Sequence, residues 1–150
     1  SDNVTQALPI FERHDVPFTV YLNSGMPDGT CELWWLGLEE TIQRADRITC
    51  TLEGVDYELP CKTIQEKDSA SSTLYWPIRR LPENEVRNFV RELAARHGIE
   101  LLSITREASM SWDQARSLQA HPLVTLGSHT VDHFAMRKLD GLKAREEVLQ

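Results

Sequence analysis

Apolar positions along this chain switch repeatedly between a helical spacing and a strand-like alternation, and that switching predicts most of its elements. Residues 4–14 read as a helix, and Phe18 to Leu22 as a strand whose aromatic and β-branched residues suit a buried position. Residues 23–30, with Gly25, Pro27 and the Asp28-Gly29 pair, read as a loop. Residues 33–44 carry helical spacing. Ile48, Cys50 and Leu52 alternate, as do Val55, Tyr57 and Leu59, so Glu53-Gly54 predicts a hairpin near residues 47–60, expected as a surface insertion. Residues 65–73 are polar and predict an exposed, mobile connection. A helix follows, with Pro82 near its first turn, Val86, Phe89, Val90, Leu93 and Ala94 on one stripe, and Gly98 past its end. Ser111 and Gln114 form a capping box for the next helix, which Pro122 stops. The run 123–126 reads as a short buried strand, Gly127-Ser128 as the turn that ends it, and a last helix starts near Asp140. Alternating helices and strands favour an α/β layered or barrel arrangement, and no internal repeat is visible.

Composition changes this picture little. A chain of 150 residues can bury the core of one globular domain, or of a large part of one. A formal charge of -7 argues against nucleic acid as the main partner, because phosphate binding relies on clustered Lys and Arg. Arg79-Arg80 is a short basic cluster that reads as solvated surface. No stretch approaches the roughly 20 apolar residues needed to cross a bilayer, and the start does not resemble a secretory signal. Cys31, Cys50 and Cys61 make an odd count without C-x-x-C spacing. A two-residue turn at Glu53-Gly54 would pair position 50 with 57, which leaves Cys61 out of register for a bridge. Reduced thiols modestly favour a cytoplasmic location, and secretion of a full-length parent stays open.

Candidate chemistry concentrates in His129-Thr130-Val131-Asp132-His133. On a helix, positions i and i+4 share a face, and neutral imidazoles are good ligands for zinc or a similar divalent ion. Catalytic zinc usually takes three protein ligands and keeps a position for water, so a third ligand, most simply a carboxylate, is needed. Coincidence on a solvated turn also produces such pairs. The placement argues for a site, since ligands gather at the carboxyl ends of strands in α/β folds. Asp132, between the histidines, could orient one of them, although a solvent-facing acid is the plainer reading. His14, His97 and His121 each close a predicted helix, where they serve the last carbonyls. Ser128, His129 and Asp132 are too close in sequence to form a serine triad, no G-x-S-x-G elbow surrounds Ser128, and no Gly-rich phosphate loop is present.

The segment MSWDQARSLQAHPLVTLGSHTVDHFAMRKLDGLKAREEV, residues 110–148, resembles the second signature region of the polysaccharide deacetylase family, also called the chitooligosaccharide deacetylase homology domain. That family's pattern is H-S/T-x-x-H, matched by His129, Thr130 and His133. The opening SDNVTQALPIFERHDVPFTVYL resembles the helix and strand that follow the family's first signature. The likeness is clear over residues 2–22 and 110–148 and looser between, where Asp28-Gly29-Thr30 followed by Trp34-Trp35 is similar to one branch.

The resemblance implies a distorted (β/α) barrel, of which the chain would form a single incomplete catalytic domain, residues 1–150. It also implies a zinc-type divalent metal held by His129 and His133, with Thr130 holding the motif's turn through a side chain to backbone hydrogen bond. The family's T-F-D-D-G signature, whose aspartates serve as base and third ligand, does not occur here, and neither do the later signatures. The expectation is therefore an internal piece of a longer enzyme that hydrolyses carbon–nitrogen bonds other than peptide bonds, removing N-acetyl groups from an acetylated amino sugar polymer or oligomer. No catalytic residue is assigned within the chain. Trp35 is the substrate-binding candidate, since an aromatic ring can stack on a sugar, although adjacent aromatics at a helix start are more often core. The competing expectation is a truncated, non-catalytic module acting in binding or assembly. An incomplete barrel leaves open strand edges, which predicts self-association.

Overall fold

The structure is a computed structural model, and residues 1–149 are described. Each element follows from local chemistry. A wide turn at Asn3–Ala7 runs into α1 (Leu8–His14), which carries Pro9 in its first turn, and β1 (Phe18–Leu22) follows. Then come α2 (Trp34–Arg44), the hairpin strands β2 (Arg47–Leu52) and β3 (Val55–Pro60), and α3 (Ile64–Arg80). The chain continues through α4 (Glu83–Arg96), α5 (Leu101–Ala108), α6 (Trp112–Gln119), β4 (Val124–Ser128) and α7 (Gly141–Leu149). The architecture is mixed α/β, and its strands form two small sheets, β1 with β4 in parallel and β2 with β3 antiparallel. The chain divides into two compact units, residues 33–104 and the two flanking stretches together.

The flanking unit is built on the parallel pair, registered from Phe18 opposite Val124 to Leu22 opposite Ser128. Alternation along both strands gives the pair two unlike faces. Phe18, Val20, Leu22, Val124 and Leu126 pack with Leu8 of α1 and with Met110, Ala115 and Leu118 in and beside α6. Thr19, Tyr21 and Thr125 lie exposed on the other face. Parallel strands cannot be joined by a tight turn, so the chain between them must make a long crossover. Here that crossover contains the whole of the second unit.

The second unit packs α2, the hairpin, α3 and α4 around Leu38, Ile42, Ile48, Leu74, Ile78, Val86, Val90 and Leu93. Its hairpin has the register the turn dictates, with Cys50 opposite Tyr57 and Leu52 opposite Val55. Glu53 and Gly54 both take positive φ, 51° and 79°, which matches the twist of the flanking strands. Ile48, Cys50 and Leu52 are buried, so the hairpin is a wall of this core, not the surface insertion its isolation in sequence suggests. The polar stretch 65–73 is likewise corrected: it is the first half of α3. Thr63 and Glu66 close a reciprocal capping box, and Ala70, Leu74 and Ile78 supply a one-residue-wide apolar stripe that a polar composition conceals. The sequence reading also gave no helix at α5.

Candidate metal centre

His129 directly follows β4, and its backbone N–H donates to the carbonyl of Leu22, the last residue of β1, at 2.9 Å. The histidine pair therefore stands at the carboxyl ends of two parallel strands. It does not stand on a helix. Residues 129–135 are a loop in which Thr130 and His133 take left-handed backbone conformations, φ 66° and 56°. Of the loop or helix that the end of the strand led one to expect, the chain takes the loop, and its bends bring the two imidazole centroids to 5.1 Å, with the rings inclined at 63°. Both side chains are exposed.

Left-handed backbone is costly for residues with a Cβ, most of all for a β-branched one such as Thr130, and persists only where the surroundings hold it. The surroundings here are the loop after β1. Asn23, buried, donates from its side-chain amide to the carbonyl of His129 and, at 3.4 Å, to Thr130 Oγ1. Ser24 N–H donates to the carbonyl of Thr130 at 3.2 Å and Gly25 N–H to that of Val131 at 3.0 Å. Cys31 Sγ reaches the carbonyl of Asp132 at 3.3 Å. The approach is close enough that a Cβ on Gly25 would stand 2.9 Å from both Val131 O and Asp132 Oδ1, so glycine is required there. Glu147 of α7 in turn accepts the Asp132 N–H at 2.9 Å.

Tyr21 completes the surroundings. It faces Gly127 across the parallel pair, its ring lying over the glycine so closely that a Cβ would meet ring atoms at 2.8 Å. The same ring presents an edge to His129 at 6.2 Å between centroids and remains largely solvent-exposed.

Two imidazoles binding one zinc ion through nitrogens at about 2.0–2.1 Å, at a tetrahedral angle, hold their ring centroids about 5 Å apart. The observed separation fits that requirement. Among the described residues no set of three His, Cys, Asp or Glu side chains comes together, so His129 and His133 fill at most two positions of a centre. Asp132 is partly buried, and its backbone is tied at both ends by Glu147 and Cys31. Thr130 meets the side chain of Asn23. Trp35 belongs to the other unit, where it is half-buried and meets buried Trp34 edge to face at 5.9 Å. It also lines a cavity of about 270 Å³ with Tyr75 and Lys67. His14 ends α1, His97 caps α4, and His121 Nε2 lies 2.9 Å from Glu12 Oε1.

Sequence reasoning missed Asn23, Glu147 and Tyr21. A polar residue immediately after a strand is a usable signal for Asn23. Nothing local marks Glu147, whose partner is fifteen residues away. No family model, curated protein or solved structure matches the chain.

Proposed function

We propose that this chain carries half of the metal centre of a hydrolase of the polysaccharide deacetylase type, which removes N-acetyl groups from an acetylated amino sugar polymer or oligomer. The observation that carries the reading is the 5.1 Å pairing of His129 and His133 at the carboxyl ends of β1 and β4. A second observation supports it: the two stretches that resemble the family clearly, residues 2–22 and 110–148, both fall within the unit that holds the pair, and the other unit lies in the stretch where the likeness is looser.

His129 and His133 would hold a divalent ion, zinc by the chemistry of the donors, together with a carboxylate that the family draws from its T-F-D-D-G signature. An ion held there would supply Lewis-acid chemistry, polarising an acetyl carbonyl and lowering the pKa of a bound water. Asn23, Ser24, Gly25 and Cys31 keep the histidine loop in its bent form, so no reorganisation is required when the ion arrives. Exposure of both rings leaves a side open for a polymeric substrate. The (β/α) barrel belongs to this proposal, with β1 and β4 as two of its strands and carbohydrate as the partner. A calorimetric zinc titration tests it. One-to-one binding that His129→Ala and His133→Ala each weaken strongly is expected, and no binding, or binding indifferent to both substitutions, would overturn the reading.

The second reading, a non-catalytic module for binding or assembly, draws on a different observation. Among the described residues β1 and β4 have no partner on their outer edges, and such edges template pairing with another chain.

A further inference from the structure

Helix α7 is arranged against the usual rule for a surface helix. Its apolar residues Leu142, Val148 and Leu149 are exposed at 78%, 59% and 68%, while the acid Glu147 is 2% exposed. A carboxylate is among the groups least often buried, because water solvates it better than protein does unless charge and hydrogen bonds compensate. Compensation here is specific. Oε2 accepts the backbone N–H of Asp132 at 2.9 Å, and Oε1 stands 4.0 Å from Lys143 Nζ, one turn earlier on the same helix. Asp140 fixes the start of the helix by accepting from the N–H groups of Leu142 and Lys143, both at 2.9 Å.

The amide that Glu147 holds lies in the segment between the two left-handed residues, Thr130 and His133. The loop after β1 ties the carbonyls of residues 129 to 132, and Glu147 ties the N–H of Asp132. A backbone bent against its own preference relaxes when such ties are cut. Relaxation at residue 133 would turn the His133 ring away from His129.

We infer that Glu147 is a positioning residue: by holding the Asp132 amide it keeps the His133 imidazole beside that of His129 and so sets the affinity of the pair for a divalent metal. This rests on the metal-centre reading above. The positioning itself does not need metal to be observed. Outer partners of metal ligands typically change affinity by about 10- to 100-fold when removed.

The experiment uses the whole chain with Glu147→Ala and Glu147→Gln. Amide exchange at Asp132 and the nuclear Overhauser contact between the two imidazoles are followed without metal, and zinc is then titrated. Glu147→Ala is expected to deprotect the Asp132 amide, lose the ring contact and bind zinc at least about tenfold more weakly. Glu147→Gln keeps an acceptor and the side-chain volume, so it is expected to stay folded and recover most of both signals. Unchanged protection and ring contact in a folded Glu147→Ala chain would overturn the inference. If alanine unfolds the chain, a folded Glu147→Gln chain that has lost the ring contact despite a protected amide would overturn it as well. Absence of zinc binding by the parent chain would remove the metal-centre reading, whereas the metal-free ring contact still decides the positioning.

Discussion

The two histidines were legible as residues, but their geometry was not. A spacing of four after a strand left a loop or a helix face open, and the chain achieves proximity with two left-handed residues in a loop. Those conformations depend on Asn23, Gly25 and Cys31, about a hundred positions away, and no local pattern encodes contacts of that separation. The cysteines were more readable. All three are free and buried, and burial pushes the thiols of Cys50 and Cys61 up, with the Arg96 charge partly opposing this at Cys50. Because the fold prefers the protonated thiols, the unfolded chain releases protons first as pH rises. This contribution to stability is therefore complete below the unfolded thiol value of about 8.5 and is lost as pH climbs through the raised folded values. Urea midpoints are expected to fall between about pH 8 and 10 more steeply in the parent chain than in a Cys50→Ala, Cys61→Ala variant. A thiol reagent should find all three groups slow until denaturant is added, and a fast-reacting thiol in the native chain would contradict their burial.

Elements were legible where one rule sufficed. The Glu53-Gly54 turn fixes the hairpin register outright, and the capping box at Ser111 and Gln114 marks the start of α6. The first half of α3 was lost because its buried stripe is narrow and, apart from Ala70, residues 65–73 are Gln, Glu, Lys, Asp, Ser and Thr, a composition that also describes a loop. Its start should then matter more than usual. The backbone N–H of Thr63 holds the Glu66 carboxyl below the ordinary carboxylate range, aided by the N–H of Lys62 and the Thr63 hydroxyl. That support is present above the unfolded carboxylate value and fades as pH falls through the lowered one. Removing the cap with Thr63→Ala is expected to cost about 1 kcal/mol in urea unfolding. No change in midpoint would mean that packing alone sustains the helix.

At the scale of the molecule, the mixed α/β class was legible in the alternation of helical and strand spacing. Division into two units was not readable, because hydrophobic spacing identifies faces without saying which faces share a core. The parallel sheet presents Thr19, Tyr21 and Thr125 to solvent, whereas parallel sheets are normally covered on both sides. Open edges on β1 and β4 add to this, so the chain is expected to self-associate. Sedimentation over a concentration series checks it, and a sharp monomer throughout would count against the expectation.

No helix among the described residues is long and apolar enough to cross a membrane. The proposed chemistry rests on whether one ion bridges two particular rings. X-ray absorption at the zinc edge, on the chain loaded with one equivalent, measures that directly. Scattering from two imidazoles at about 2.0–2.1 Å, falling to one in His133→Ala, is the expected result. A spectrum without imidazole scattering, or one unchanged by the substitution, would contradict the assignment of His129 and His133 as a shared metal site.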